Sequence, residues 1–266
     1  MTRYIDRHSH AKEANVLSIY RAFRHFTKDQ LATLRVMCLS GPQLRDVLFL
    51  VRLGVAAANI TVVEMNPETL RKQRQKMVEE QCRELLSGLT LVGPKTIGDH
   101  LTSCPDAELP DVLYLDVFGN WSGSRLVFPM ADLYEFLARV RSMKRKVVVA
   151  LTFPLRNNYR RGNREVRDTV VRALRLRKRG QNPPGENTIA ETFLRKCVFP
   201  HSGWQPVATK VSIYQQKAGG QLMMFLRFAL TRARRNEAVD WPLVDGQFVG
   251  FPPEGDRWTI HSVVDL

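Results

Sequence analysis

VATKVSIYQQ (207–216) and QLMMFLRFAL (221–230) are two apolar, strand-forming segments joined only by Lys217, Ala218, Gly219 and Gly220. So short a connection makes an antiparallel hairpin, because a parallel return needs a crossover of about a dozen residues or more. The chain upstream has another rhythm. LRVMCLSG (34–41), ITVVEMN (60–66), LTLV (89–92), DVLYLDVFG (111–119) and KVVVALTF (146–153) are short apolar runs separated by helix-compatible stretches. Runs so continuously apolar suit parallel strands buried on both faces. Residues 43–54, 67–86 and 130–143 are the expected helices, with Asn66 as a cap and Pro67 in the first turn of the second. The predicted architecture is an α/β sandwich whose mostly parallel seven-stranded sheet ends in an antiparallel hairpin.

Outward from this core, Val16, Ile19, Tyr20 and Phe23 fall at helical spacing, so residues 1–33 are expected to form a helical extension that packs on the sheet. The main domain is expected over 34–235, carrying a basic insert at 156–185. Trp241, Phe248, Phe251 and Trp258 make the tail, 236–266, a segment expected to pack back on that domain.

A hydrophobic fraction of 44% and a charged fraction of 25% over 266 residues exclude a wholly disordered chain. The net charge of +14 favours an acidic partner. Nucleic acid is the commonest, because bound cations release the counterions condensed on phosphates. An anionic membrane surface or a merely soluble basic surface also accounts for the charge. Cys38, Cys82, Cys104 and Cys197 form no CxxC pair and have no histidine at zinc-ligand spacing, so no metal site is expected. The polar N-terminus and the lack of a membrane-length apolar run predict a cytoplasmic protein without membrane association.

In such sheets ligands bind where strand order reverses, outside the carboxyl ends of the strands. The first strand ends in Leu39, Ser40 and Gly41, where glycine permits close approach of a ligand or a simple turn. The second ends in Glu64, 23 positions after Gly41, near the spacing at which an acid meets ribose hydroxyls. A solvated strand-end acid is the alternative for Glu64.

From about Leu34 to Arg232 the chain resembles the class I S-adenosylmethionine-dependent methyltransferases. The resemblance implies S-adenosylmethionine as cofactor. It gives Gly41 to the methionine moiety, Glu64 to the ribose and Asp99 to the adenine, with Leu39, Ser40, Met65 and Asp116 also at the cofactor. The loop departs from the family pattern, since CLSGPQLRD carries a single glycine, followed by Pro42.

The same resemblance makes LDVFGNWSGS (115–124) the substrate side. Asp116 and Asn120 are the candidate catalytic acceptors for an exocyclic amine, and Phe118 and Trp121 offer faces for a base, or else cap the sheet as core aromatics. No Pro-Cys dipeptide is present for a cysteine-nucleophile route, which leaves transfer to nitrogen. Residues 156–180 hold ten Arg or Lys against two acids. Arg156, Arg160, Arg161, Arg172 and Arg175 suit phosphate, and Tyr159 suits stacking on a base, although a solvated basic helix has the same composition. The expected function is methylation of nucleic acid at a nitrogen. The alternatives are an inactive nucleic-acid-binding relative and a small-molecule methyltransferase.

Overall fold

Alternation along the strands decides the layers. Met37, Val63, Leu113, Val149 and Leu226 belong to one buried cluster, while their chain neighbours Cys38, Val62, Val112, Val148 and Phe225 belong to another. Successive side chains on a strand point to opposite faces. Each strand is therefore apolar on both sides and needs cover on both.

The computed structural model describes residues 9–23, 27–116, 130–154, 191–192, 194–215, 222–233, 243–244, 247–250 and 259–262. Its first half runs α1 (Ser9–Arg21), α2 (Lys28–Ala32), β1 (Val36–Cys38), α3 (Arg45–Arg52), β2 (Ile60–Val63), α4 (Pro67–Val78), α5 (Glu80–Arg83) and β3 (Thr90–Val92). There follow α6 (Ile97–Ser103), β4 (Val112–Asp116), α7 (Met130–Val140), β5 (Lys146–Pro154), α8 (Phe199–His201), β6 (Trp204–Gln215) and β7 (Leu222–Arg232). The strands form one sheet in the order β3-β2-β1-β4-β5-β7-β6. β1 to β5 are parallel, and β7 lies antiparallel between β5 and β6. This is the Rossmann-like methyltransferase sandwich that the hairpin predicted.

One face of the sheet is covered by α6, α7 and residues 194–201, the other by α1, α2, α3 and α5. On the first, Phe199 meets Phe228 edge-on at 4.8 Å, and the buried Trp204 donates its indole N–H to the Leu137 carbonyl at 2.8 Å. On the second, Val16 and Ile19 of α1, and Phe23 just after it, are buried in the same cluster as Val36 and Val148. The N-terminal helix is thus part of the core.

Several predicted boundaries shift. β1 and β3 are three residues each, shorter than the apolar runs, because pairing stops where the chain turns outward at Leu39 and Gly93. The single helix expected over 67–86 breaks at Glu79, whose backbone is extended (ψ 135°) and starts α5 anew. The break lets Cys82 and Leu86 reach the core, at 4% and 1% exposure. β6 starts at Trp204, ahead of the predicted 207, with a register shift at Pro206, which has no N–H for the ladder. In the tail, β8 (Leu243–Val244), β9 (Gln247–Gly250) and β10 (Thr259–Ser262) pair antiparallel in a small second sheet, where no strands were expected. Among the described residues, no helix is long and apolar enough to cross a membrane.

Candidate cofactor crevice

β1 sits between β2 and β4, so the chain leaves it in one direction and returns on the other side. A crevice opens outside the carboxyl ends at such a switch point. The Leu39 N–H donates to the Tyr114 carbonyl at 3.1 Å, which holds the exit of β1 against β4. The Gly41 carbonyl then accepts from the Leu44 N–H at 3.0 Å, closing a turn over Pro42 and Gln43. A Cβ placed on Gly41 would meet nothing within 4 Å, so the loop faces open space there. Leu44 completes the turn in the left-handed region (φ 49°) and is fully buried. That backbone costs about 1–2 kcal/mol in a non-glycine residue. Burial of the leucine side chain, roughly 1.5–3 kcal/mol, offsets it. α3 begins at once, with no side-chain cap on its first N–H groups. Asp46 in its first turn is buried and close enough to the Cys38 thiol that, after burial itself, it raises the thiol pKa further.

The loop is anchored from a helix that sequence analysis passed over. Gln73 of α4 is fully buried, and its Nε2 donates to the Ser40 carbonyl at 2.7 Å. Two polar atoms are left there without a partner, Gln73 Oε1 and the hydroxyl of the buried Ser40. The signal was present: Leu70, Gln73 and Met77 repeat at helical spacing, which puts an amide on an otherwise apolar stripe.

Glu64 stands one residue beyond β2 and is half-buried. Burial pushes its carboxyl pKa up, while the Asn66 and Met65 N–H groups pull it back. The Asn66 N–H donates to Glu64 Oε1 at 2.6 Å, and Asn66 in turn caps α4, accepting from the N–H groups of Glu68 and Thr69 at 2.9 and 3.1 Å. The backbone of Glu64 is clamped to the end of β3: its N–H donates to Val92 at 2.9 Å, and its carbonyl accepts from Lys95 at 3.1 Å. The chain passes so closely that a Cβ on Gly93 (φ 151°) would lie 2.1 Å from the Glu64 oxygen. Met65, beside it, is 40% exposed.

Asp99 lies in the first turn of α6 and is exposed. Its N–H and carboxylate both engage the hydroxyl of Thr96, the cap of that helix, at 3.1 and 2.6 Å. Asp116 ends β4 opposite Thr152 and is partly buried. The strand ends therefore bring together Leu39, Ser40, Gly41, Glu64, Met65 and Asp116 around the switch point, with Asp99 beyond the 93–96 loop that follows β3, in the first turn of α6. Asn120, Phe118 and Trp121 lie outside the described residues, as do Arg156, Tyr159, Arg160, Arg161, Arg172 and Arg175.

Strand order and crevice define an α/β protein with a class I methyltransferase fold. No family model matches the chain, and no curated protein matches it in sequence. Its solved structural neighbours include a Pyrococcus horikoshii protein provisionally described as an RNA methyltransferase, at 9% identity and a TM-score of 0.49, covering 84% of this chain and 83% of that one. Another is the S-adenosylmethionine-bound magnesium protoporphyrin IX methyltransferase of Synechocystis PCC 6803, at 12% identity and a TM-score of 0.45, with 87% and 85% covered. A third, from Galdieria sulphuraria, is provisionally described as a sarcosine dimethylglycine methyltransferase, at 12% identity and a TM-score of 0.47, with 84% and 86% covered. Likeness at this level decides neither substrate nor cofactor, and the fold assignment stands on the strand order.

Proposed function

We propose that this chain is an S-adenosylmethionine-dependent methyltransferase acting on nucleic acid, at a nitrogen. The observation that carries the proposal is the strand order, with β7 antiparallel between β5 and β6, together with a half-buried acid at the end of β2 beside the switch point. The residues present fit the cofactor. Gly41 borders open space, the Ser40 hydroxyl and Gln73 Oε1 are buried without partners, and Glu64 offers a carboxylate whose second oxygen can accept from a diol.

When bound, the cofactor supplies an electrophilic methyl group on a sulfonium. The chain's own work is positioning and charge. Glu64 accepts hydrogen bonds from ribose hydroxyls, and the Leu39–Gly41 backbone sets the depth of the methionine end. Asp116, with Asn120, accepts from the amine being methylated and takes up the positive charge that grows on it. Arg156, Tyr159, Arg160, Arg161, Arg172 and Arg175 belong to the segment that holds eight of the fourteen net positive charges, a composition that suits a phosphate backbone.

Calorimetric titration of S-adenosylmethionine into the wild type and Glu64→Ala tests the cofactor. Saturable binding by the wild type and at least about tenfold weaker binding by the variant are expected. No binding by the wild type refutes the enzyme proposal and leaves a methyltransferase-fold binding protein. Affinity for RNA and DNA measured against salt tests the substrate. A steep decline that flattens on neutralising Arg172, Arg175 and Arg177 is expected. Cofactor binding without nucleic-acid binding would instead indicate a small-molecule substrate.

A further inference from the structure

The carboxyl-end crevice is not the molecule's only concavity. At the opposite ends of the strands, a cavity of about 370 Å³ lies between the sheet and α6. Arg35 precedes β1, Ala58 and Asn59 precede β2, and Thr90 opens β3, so this cavity is entered from the amino ends, away from Gly41, Glu64 and Asp116.

Its floor follows from register. Met37, Thr61 and Thr90 stand opposite one another on β1, β2 and β3, which places them in one row on one face of the sheet. Met37 lies in the buried cluster that includes α6, whereas Thr61 and Thr90 lie beyond that helix and keep solvent access. The floor is therefore two neighbouring hydroxyls, with Met37, 2% exposed, closing its inner edge. His100 of α6 and Cys104, the residue that caps that helix, form the wall, and Glu108 closes it. Burial first, then Lys95, holds the His100 pKa below the ordinary imidazole value, so the ring is neutral near pH 7. Glu108 is close enough to act electrostatically on both His100 and Cys104. Arg35 supplies a cation at the rim: its backbone N–H donates to the Asp111 carboxylate at 3.0 Å and its carbonyl accepts from the Asp111 and Val112 N–H groups at 2.9 and 3.1 Å, while its exposed side chain makes no hydrogen bond among the described residues.

Each part selects something different from a ligand. Two adjacent hydroxyls, each donor and acceptor, match a ring edge that presents a donor beside an acceptor. A neutral imidazole wall favours a flat heteroaromatic ring. The carboxylate accepts from an exocyclic amine or a sugar hydroxyl, and the guanidinium pairs with a phosphate. The volume is at the small end of ligand pockets, which run from about 300 to 1,000 Å³, and so suits one nucleotide and no longer strand.

We infer that this cavity, lined by Arg35, Met37, Thr61, Thr90, His100 and Glu108, is a second ligand site that takes a single nucleoside monophosphate. The base sets its edge on the two threonines beside His100, and the phosphate meets Arg35. The site does not depend on the function proposed for the crevice. It provides a place where a free nucleotide acts on the chain from the far end of the strands that carry the cofactor residues.

The test is calorimetric titration of the protein with adenosine, guanosine, cytidine and uridine 5′-monophosphates. At least one is expected to bind saturably, with equal affinity in wild type and Glu64→Ala. The double variant Thr61→Val, Thr90→Val keeps the β-branched shape while removing both hydroxyls, and is expected to bind about tenfold more weakly or worse. Arg35→Ala removes an exposed side chain that makes no hydrogen bond among the described residues. It should weaken the monophosphate severalfold and leave the corresponding nucleoside unaffected. No saturable binding of any of the four at millimolar concentration overturns the inference, as does unchanged affinity in both the threonine and Arg35 variants. Loss of nucleotide binding in Glu64→Ala overturns it too, since the ligand would then be in the crevice. Nucleotide binding that depends on Thr61 and Thr90, in a protein that ignores S-adenosylmethionine, would sink the proposed function and uphold this site.

Discussion

Replacing Gln73 with methionine should loosen the cofactor loop while barely altering the stability of the fold. Three terms set the balance. The bond from Gln73 Nε2 to the Ser40 carbonyl (2.7 Å) is lost, at about 1 kcal/mol net. The carbonyl it leaves in the interior costs about 1–3 kcal/mol more. Against these, the substitution removes Gln73 Oε1, a fully buried acceptor that already lacks a partner, and so recovers about 1–3 kcal/mol. Methionine is close to glutamine in length and flexible enough to fill the same volume. The net change is about 1 kcal/mol, which in a domain of this size is a Tm shift of about 2–4 °C. Ligand binding responds differently, because Ser40 no longer has a fixed carbonyl and must be ordered by the ligand. Fixing one residue's backbone costs about 1–2 kcal/mol, hence a Kd for S-adenosylmethionine about 5- to 30-fold higher. Thermal melts and calorimetry on the same preparations separate the two effects. A Tm drop several times larger would show that the bond holds up the fold. A Kd within about twofold of wild type would show that the loop is rigid without it.

Three further outcomes follow from other features. Burial keeps the Glu64 pKa above its unfolded value, so its contribution to stability is complete below about pH 4.5 and is lost as pH rises through the folded pKa. Glu64→Gln should therefore melt like wild type near pH 4 and above it at pH 7 to 8, while binding the cofactor less well; equal melts across the whole range would refute this. Gly93→Ala, whose Cβ would lie 2.1 Å from the Glu64 carbonyl oxygen at φ 151°, should cost about 3 kcal/mol or more in urea unfolding, and a loss under about 1 kcal/mol would show that the turn relaxes. Cys38 is fully buried, and burial followed by Asp46 drives its thiol pKa far up, so mass spectrometry should find it unmodified after iodoacetamide treatment of the native protein and modified in denaturant.

The sheet was legible because its signals are local and redundant. The four residues at 217–220 could only turn an antiparallel corner, and the apolar runs of β2, β4 and β5 needed cover on both faces. Asn66 and Pro67 marked the start of α4 by their own chemistry, and both stand where a cap and a first turn require them. The crevice was legible only at its strand ends. Gln73 escaped notice because its role depends on which side of α4 meets the β1 loop, a tertiary fact carried by one amide among charged neighbours. The break at Glu79 is similar, since nothing in the local sequence opposes a continuous helix and only the burial of Cys82 and Leu86 requires the bend. Asp99 was read from a family pattern, whereas its immediate hydrogen bonds serve the cap of α6.

The position of β7 has a consequence for synthesis. Among the described strands, β6 precedes it in the chain but pairs only with it, and β5 offers its outer edge to no other. Until residues 222–232 have left the ribosome, β6 has no strand to join and β5 keeps a row of unpaired N–H and carbonyl groups. A chain cut at residue 221 would therefore lose two strands of the sheet. It would also bare Val148 and Val149, neighbours on opposite faces of β5, along an aggregation-prone edge.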